Sequence, residues 1–167
     1  MFLRPVLTLI FVMALAVSGC SLLGDAPAPP NGASPPLHDA ARGATLQIAR
    51  PFEPGGANAS FAQGRPLGWF SVTAWKVKCT LHFAERQNAP VNGGLYRVER
   101  TAFNTVPSGD EELQMTTLWL RTLKGPEIET ISCQHAGSLG EPETVGPVTV
   151  QEFRHAFGDY LIMERAP

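Results

Sequence analysis

The sequence predicts a mainly β or α+β domain: an antiparallel sheet or sandwich of about six or seven strands with one short C-terminal helix. Three observations predict it. Gly and Pro are frequent, at 16 and 15 residues, while helix-period segments are scarce. Within the stretch SVTAWKVKCTLHF (71–83), Trp75 to Phe83 alternate apolar and polar residues strictly, which is the period of a strand with one face buried and one wet. Only the segment after Thr149 carries a strong helix start.

Taken in order, Thr45 to Ala49 and Ala57 to Gln63 read as strands joined by the loop PFEPGG (51–56). In 71–83 the odd positions Trp75, Val77, Cys79, Leu81 and Phe83 face the core, and Lys76, Lys78, Thr80 and His82 face water. Gly94 to Phe103 is a strand entered through the Asn92-Gly93-Gly94 turn. Leu113 to Leu123, rich in Thr, Leu and Trp, follows the turn residues Pro107 to Asp110. Glu127 to His135 places Ile131 and Cys133 on one face. Thr149-Val150-Gln151-Glu152 is a capping box, and Val150, Phe153 and Phe157 then share one helical face. Gly158 fits the residue that ends such a helix. Tyr160 to Glu164 returns as a last strand. Residues 44–167 have the length of one domain.

The N-terminus has a different character. Arg4 precedes a run of twelve residues, Val6 to Val17, apolar except for Thr8. A spanning helix needs about 20 residues, so this run has the build of a signal-peptide core. The tetrad Val17-Ser18-Gly19-Cys20 resembles the lipobox of bacterial lipoproteins. That resemblance implies a leader over 1–19, cleavage between Gly19 and Cys20, and diacylglycerol on the Cys20 thiol. By the same resemblance, Ser21 favours sorting to the outer membrane, facing the periplasm. Residues 20–43 then read as a lipidated, disordered tether: prolines stand at 27, 29, 30, 35 and 36 among Ala, Gly and Ser, too little apolar surface to offset ordering. A single helical turn over Leu37 to Arg42 fits within it.

Once Cys20 is lipidated, Cys79 and Cys133 remain. In an oxidising envelope compartment such a pair is a disulfide by default. The neighbouring His82 and His135 complete a donor set for zinc, but Cys79 and His82 are three apart in a strand and point to opposite faces. The sequence therefore predicts the disulfide and no metal.

The folded region is similar to small proteobacterial lipoproteins of unknown function, through FAQGRPL (61–67), KCTLHF (78–83), GLYRVERTAF (94–103), ISCQ (131–134) and TVQEFRHAFGDYL (149–161). The resemblance implies a two-cysteine β domain and carries over no catalytic residue.

Charge and motifs narrow the function classes. With the leader and Arg4 removed, 12 basic residues face 15 acidic ones, with no basic stripe, so nucleic acid is not an expected partner. HExxH, G-x-S-x-G, phosphate loops and dinucleotide fingerprints do not occur. Of the histidines, His38 falls in the tether, His82 on a wet face and His155 at the helix end beside Asp159. Trp75 and Trp119 read as core. Trp69-Phe70 follows Pro66 and Gly68 at a strand entrance, where adjacent side chains face oppositely, so one of the two is the expected contact surface. The sequence thus points to a non-enzymatic, membrane-anchored binding or accessory module for another envelope protein or glycan, with no cofactor. An envelope enzyme with an unrecognised site and a small-ligand binder inside a β-barrel are the alternatives.

Overall fold

The computed structural model describes residues 34–68, 77–108, 111–138 and 146–165. Its strands are β1 (Thr45–Ile48), β2 (Asn58–Ala62), β3 (Arg65–Pro66), β4 (Lys78–Phe83), β5 (Gly94–Ser108), β6 (Glu111–Lys124), β7 (Ile128–Ser138) and β8 (Leu161–Glu164). Two helices join them, α1 (Leu37–Ala40) and α2 (Val150–Phe157). All the strands pair antiparallel in one curled sheet, a half-barrel, in the order β3-β2-β4-β7-β6-β5-β1-β8.

The chain is mainly β, as expected, and of the two arrangements the sequence allows, sheet or sandwich, it forms the single sheet. The second layer is α2, which packs on β2, β3, β4 and β8 and covers the inner face. An eighth strand arises at Gln63-Gly64. Both residues have positive φ, 53° and 73°, which turns the chain tightly enough for β3 to pair back on β2.

Alternation in β4 is as the sequence reads: Cys79, Leu81 and Phe83 are buried, and Lys78, Thr80 and His82 are only half-buried. The part of that predicted strand over 71–76, with Trp75, lies outside the described residues. Cys79 and Cys133 are direct register partners on adjacent strands, 4.0 Å apart at Cα, and are joined by a disulfide. Directly opposed residues share a face, so a single row crosses the inner surface: Phe61, Cys79, Cys133, Thr116, Phe103. The first four are fully buried. Phe61 is the hub, its ring 5.0 Å from both Phe52 and Phe157 and 5.5 Å from Tyr160.

Trp119 departs from its expected core position. Alternation gives the inner place to fully buried Leu118 and turns Trp119 outward, half-buried, where the Arg100 guanidinium lies 3.8 Å over its ring. Tyr96 is fully buried and donates to the Pro126 carbonyl at 3.0 Å. Burial pushes its hydroxyl pKa up to about 12.

The capping box forms as predicted. The Glu152 amide donates to Thr149 Oγ1 at 3.2 Å, and the Thr149 amide donates to Glu152 Oε2 at 2.8 Å. The apolar face that follows, Val150, Phe153, Ala156 and Phe157, is buried. Gly158, with φ 56°, ends the helix. Thr149→Ala is expected to lower the unfolding free energy by about 1 kcal/mol in urea titration, with Thr149→Ser recovering most of it. Equal losses in both variants would show that the hydroxyl cap contributes nothing.

The tether expected over 20–43 is too long at its C-terminal end, because residues 34–43 belong to the packed body. Leu37 and Ala41 are fully buried. The Leu37 amide donates to Val148 O at 2.8 Å, the Val150 amide to Pro35 O at 3.0 Å, and the Gln151 amide to Ser34 Oγ at 2.9 Å. Pro36 bridges Thr149. Two apolar residues at i, i+4 spacing suffice to dock one helical turn, a signal too short to stand out from the Pro- and Ala-rich run around it.

Candidate functional site

A cavity of about 550 Å³ lies between α1 and β5, lined by His38, Asp39, Arg42, Thr101, Ala102 and Phe103. Burial of Leu37 and Ala41 on the inner side of the helical turn leaves His38, Asp39 and Arg42 on its open side. Gly43, with φ 75°, then reverses the chain so that it can pair with β5. The Gly43 amide donates to Val98 O at 3.0 Å and the Val98 amide to Ala44 O at 2.9 Å.

That pairing stops at Val98. Strand β1 pairs with Gly94–Arg97 of β5, and among the described residues nothing further pairs with this side of the strand. Consecutive side chains in a strand point to opposite faces. Three in a row, Thr101, Ala102 and Phe103, line one cavity because the cavity runs along the edge of β5, where main-chain groups are presented. The edge is bracketed by an irregularity in register between Val98 and Arg100 and by Pro107.

The side chains around it are mixed in charge. The His38 ring stacks on Phe103 at 5.4 Å and 19°. Its Nε2 lies 3.5 Å from Asp39 Oδ1, and its Nδ1 is buried with no hydrogen-bond partner among the described residues. Thr101 Oγ1 donates to the His38 carbonyl at 2.7 Å. Arg42 is exposed and forms no ion pair among the described residues. The groove therefore offers main-chain hydrogen bonding, one unpaired cation, one carboxylate and a flat aromatic wall. Its hydroxyl is committed to a carbonyl rather than held by a base, so the geometry suits binding rather than nucleophilic attack.

The expected residues fall elsewhere. Gly19, Cys20, Trp69 and Phe70 lie outside the described residues. Cys79 and Cys133 are core residues, and their bonded sulfurs remove the zinc alternative. His38, assigned by sequence to the tether, is instead part of the groove. His135 Nε2 sits 2.9 Å from the Gly146 carbonyl, and His155 is exposed in the last turn of α2. Among the described residues no group of three or more His, Cys, Asp or Glu is placed to hold a metal ion. The groove residues Asp39, Arg42 and Thr101 were not singled out by the sequence; the available signals were Leu37 and Ala41 spaced for one turn, and a 94–103 strand far longer than its neighbour at 45–49.

His82 is half-buried on the outer face of β4. Burial lowers its pKa from the ordinary 6.5, with the Glu129 carboxylate opposing. The neutral ring is favoured in the folded chain, so at acid pH the unfolded chain binds more protons, and stability falls as pH drops below about 6.5. His82→Gln is expected to flatten the unfolding free energy between about pH 7 and 5; an unchanged pH profile would show that His82 does not contribute to it.

No family model, curated protein or solved structure matches this chain.

Proposed function

We propose that this chain is a lipid-anchored envelope lipoprotein whose folded part is a non-enzymatic binding module for another envelope component. The anchor is Cys20, in the outer membrane and facing the periplasm. The observation that carries the binding reading is the groove at the edge of β5, where main-chain groups, the Arg42 cation, which has no ion pair among the described residues, and an aromatic wall converge. The Val17–Cys20 tetrad supports the anchor; no helix among the described residues is long and apolar enough to cross a membrane.

Two features weigh against the alternatives. An enzyme needs convergent polar groups, and the four histidines stand on four different elements, α1, β4, β7 and α2, and none of the other three shares the groove with His38. A ligand inside the half-barrel needs room, and the inner face is filled by Phe61, Phe153 and Phe157, with Phe153 and Phe157 rings 4.9 Å apart.

The test is in-cell crosslinking of the tagged, lipidated protein followed by capture and mass spectrometry. The control is a Cys20→Ala form exported by a cleavable signal. One dominant envelope partner that requires Cys20 is the expected result. Turnover of an envelope substrate by the purified protein, with no partner above background, would overturn the reading.

A further inference from the structure

We infer that the groove between α1 and β5 receives the extended C-terminal end of a partner polypeptide, added to β5 as an antiparallel strand with its terminal carboxylate on Arg42. This rests on the binding-module reading and specifies its ligand.

An unpaired strand edge is a template for another chain, and proteins blunt such edges with charges, prolines or bulges. On β5 the blunting devices stand at the two ends of the open stretch: the register irregularity near Glu99 on one side and Pro107 on the other. Between them, Arg100 lies over the Trp119 ring on the outer face, and Thr101 to Val106 carry no charged side chain. Asn104 to Val106 are exposed. Six residues of edge span about 20 Å, and only three of them, Thr101 to Phe103, line the cavity beside α1. A ligand that uses the whole edge is therefore an extended chain rather than a small molecule. Main-chain pairing of this kind supplies affinity, and pockets beside the edge supply selectivity.

The direction and the end of that chain follow from two further features. Gly43 and Ala44 already occupy the edge at Val98, so an added strand must stop there. Arg42 stands at that stop and forms no ion pair among the described residues. A guanidinium at the point where a chain must end selects a carboxylate terminus, which it holds through charge-assisted hydrogen bonds. A strand whose C-terminus lies at the Glu99 end of β5 runs against β5, so the pairing is antiparallel. The stacked His38 and Phe103 rings form the wall against which the last apolar side chains lie.

The test uses the purified full chain and a display library of random seven-residue peptides that leaves the C-terminal carboxylate free. Enriched peptides are then synthesised as free acids and as C-terminal amides. Selection of peptides is expected, with the acid binding about tenfold more tightly than the amide. Arg42→Glu, at an exposed position, is expected to abolish that difference, while Arg65→Glu on β3 leaves it intact. Backbone amide shifts on binding should concentrate in 99–107. No enrichment, equal affinity of acid and amide, or shifts centred away from β5 would each overturn the inference. A partner captured in cells but bound through another surface would leave the binding module standing and remove this ligand. Peptides that bind as described without any cellular partner would do the reverse.

Discussion

Phe61→Ala is expected to lower the unfolding free energy by about 3–5 kcal/mol, the range for truncating a large aromatic in a packed core. The upper part of that range applies here. Phe61 is fully buried, and its ring contacts Phe52, Phe157 and Tyr160 at 5.0–5.5 Å. Those neighbours come from the loop before β2, from α2 and from the turn into β8. They are held by separate backbone elements, so the space cannot close by one small shift, and the cavity cost adds to the lost burial. Domains of this size are stable by only about 5–15 kcal/mol, so the variant loses a large share of its stability. Urea midpoints for Phe61→Ala beside Val106→Ala measure this. Val106 is 38% exposed, and its truncation is expected to stay within about 0.5 kcal/mol. A Phe61→Ala loss no larger than that of Val106→Ala would mean that the inner face is not packed around Phe61.

Removing the Cys79–Cys133 bridge by the double change to Ala is expected to cost on the order of 4 kcal/mol. The residues are 54 apart in sequence, and the figure is the chain-entropy cost of freeing a loop of that length in the unfolded state. The double variant avoids leaving a lone buried thiol. Both sulfurs sit in the fully buried row between Phe61 and Thr116, so substitution also removes packing, which acts in the same direction. Reduction of the unaltered chain separates the two effects, because it breaks the bond while keeping the sulfur volume. A denaturation midpoint unmoved by reductant would refute a stabilising role for the bridge.

Much of the inner face was legible in the sequence because strand alternation is a local property. Cys79, Leu81 and Phe83 fall inward by period alone, and the disulfide was expected from a pair of cysteines in a chain read as exported. The capping box at Thr149 and Glu152 is legible for the same reason: its donors and acceptors lie within one turn. Trp119 was not. A Thr- and Leu-rich strand gives no clear alternation, and its register against β5 and β7 decides that Leu118 faces in. Nor was the start of the packed body, since Leu37 is buried by contacts with residues more than a hundred positions away in sequence, including Val148.

The candidate site was the least legible part. A groove at a strand edge is defined by what fails to pair with it. The edge of β5 is open beyond Val98 because β1 is only four residues long and because α1 lies beside the strand without pairing with it. Neither fact is visible in 94–108 itself. The strand character of β1, β2, β4, β5, β6, β7 and β8, the capped helix α2 and the pairing of Cys79 with Cys133 could all be read from composition or from spacing within a few residues. Long-range packing sets the rest: the strands form one curled sheet closed by α2, residues 34–43 join it, and among the described residues β5 keeps an open edge beside Arg42. Those outcomes depend on which distant surfaces bury one another, and burial between distant segments leaves no periodicity in the chain.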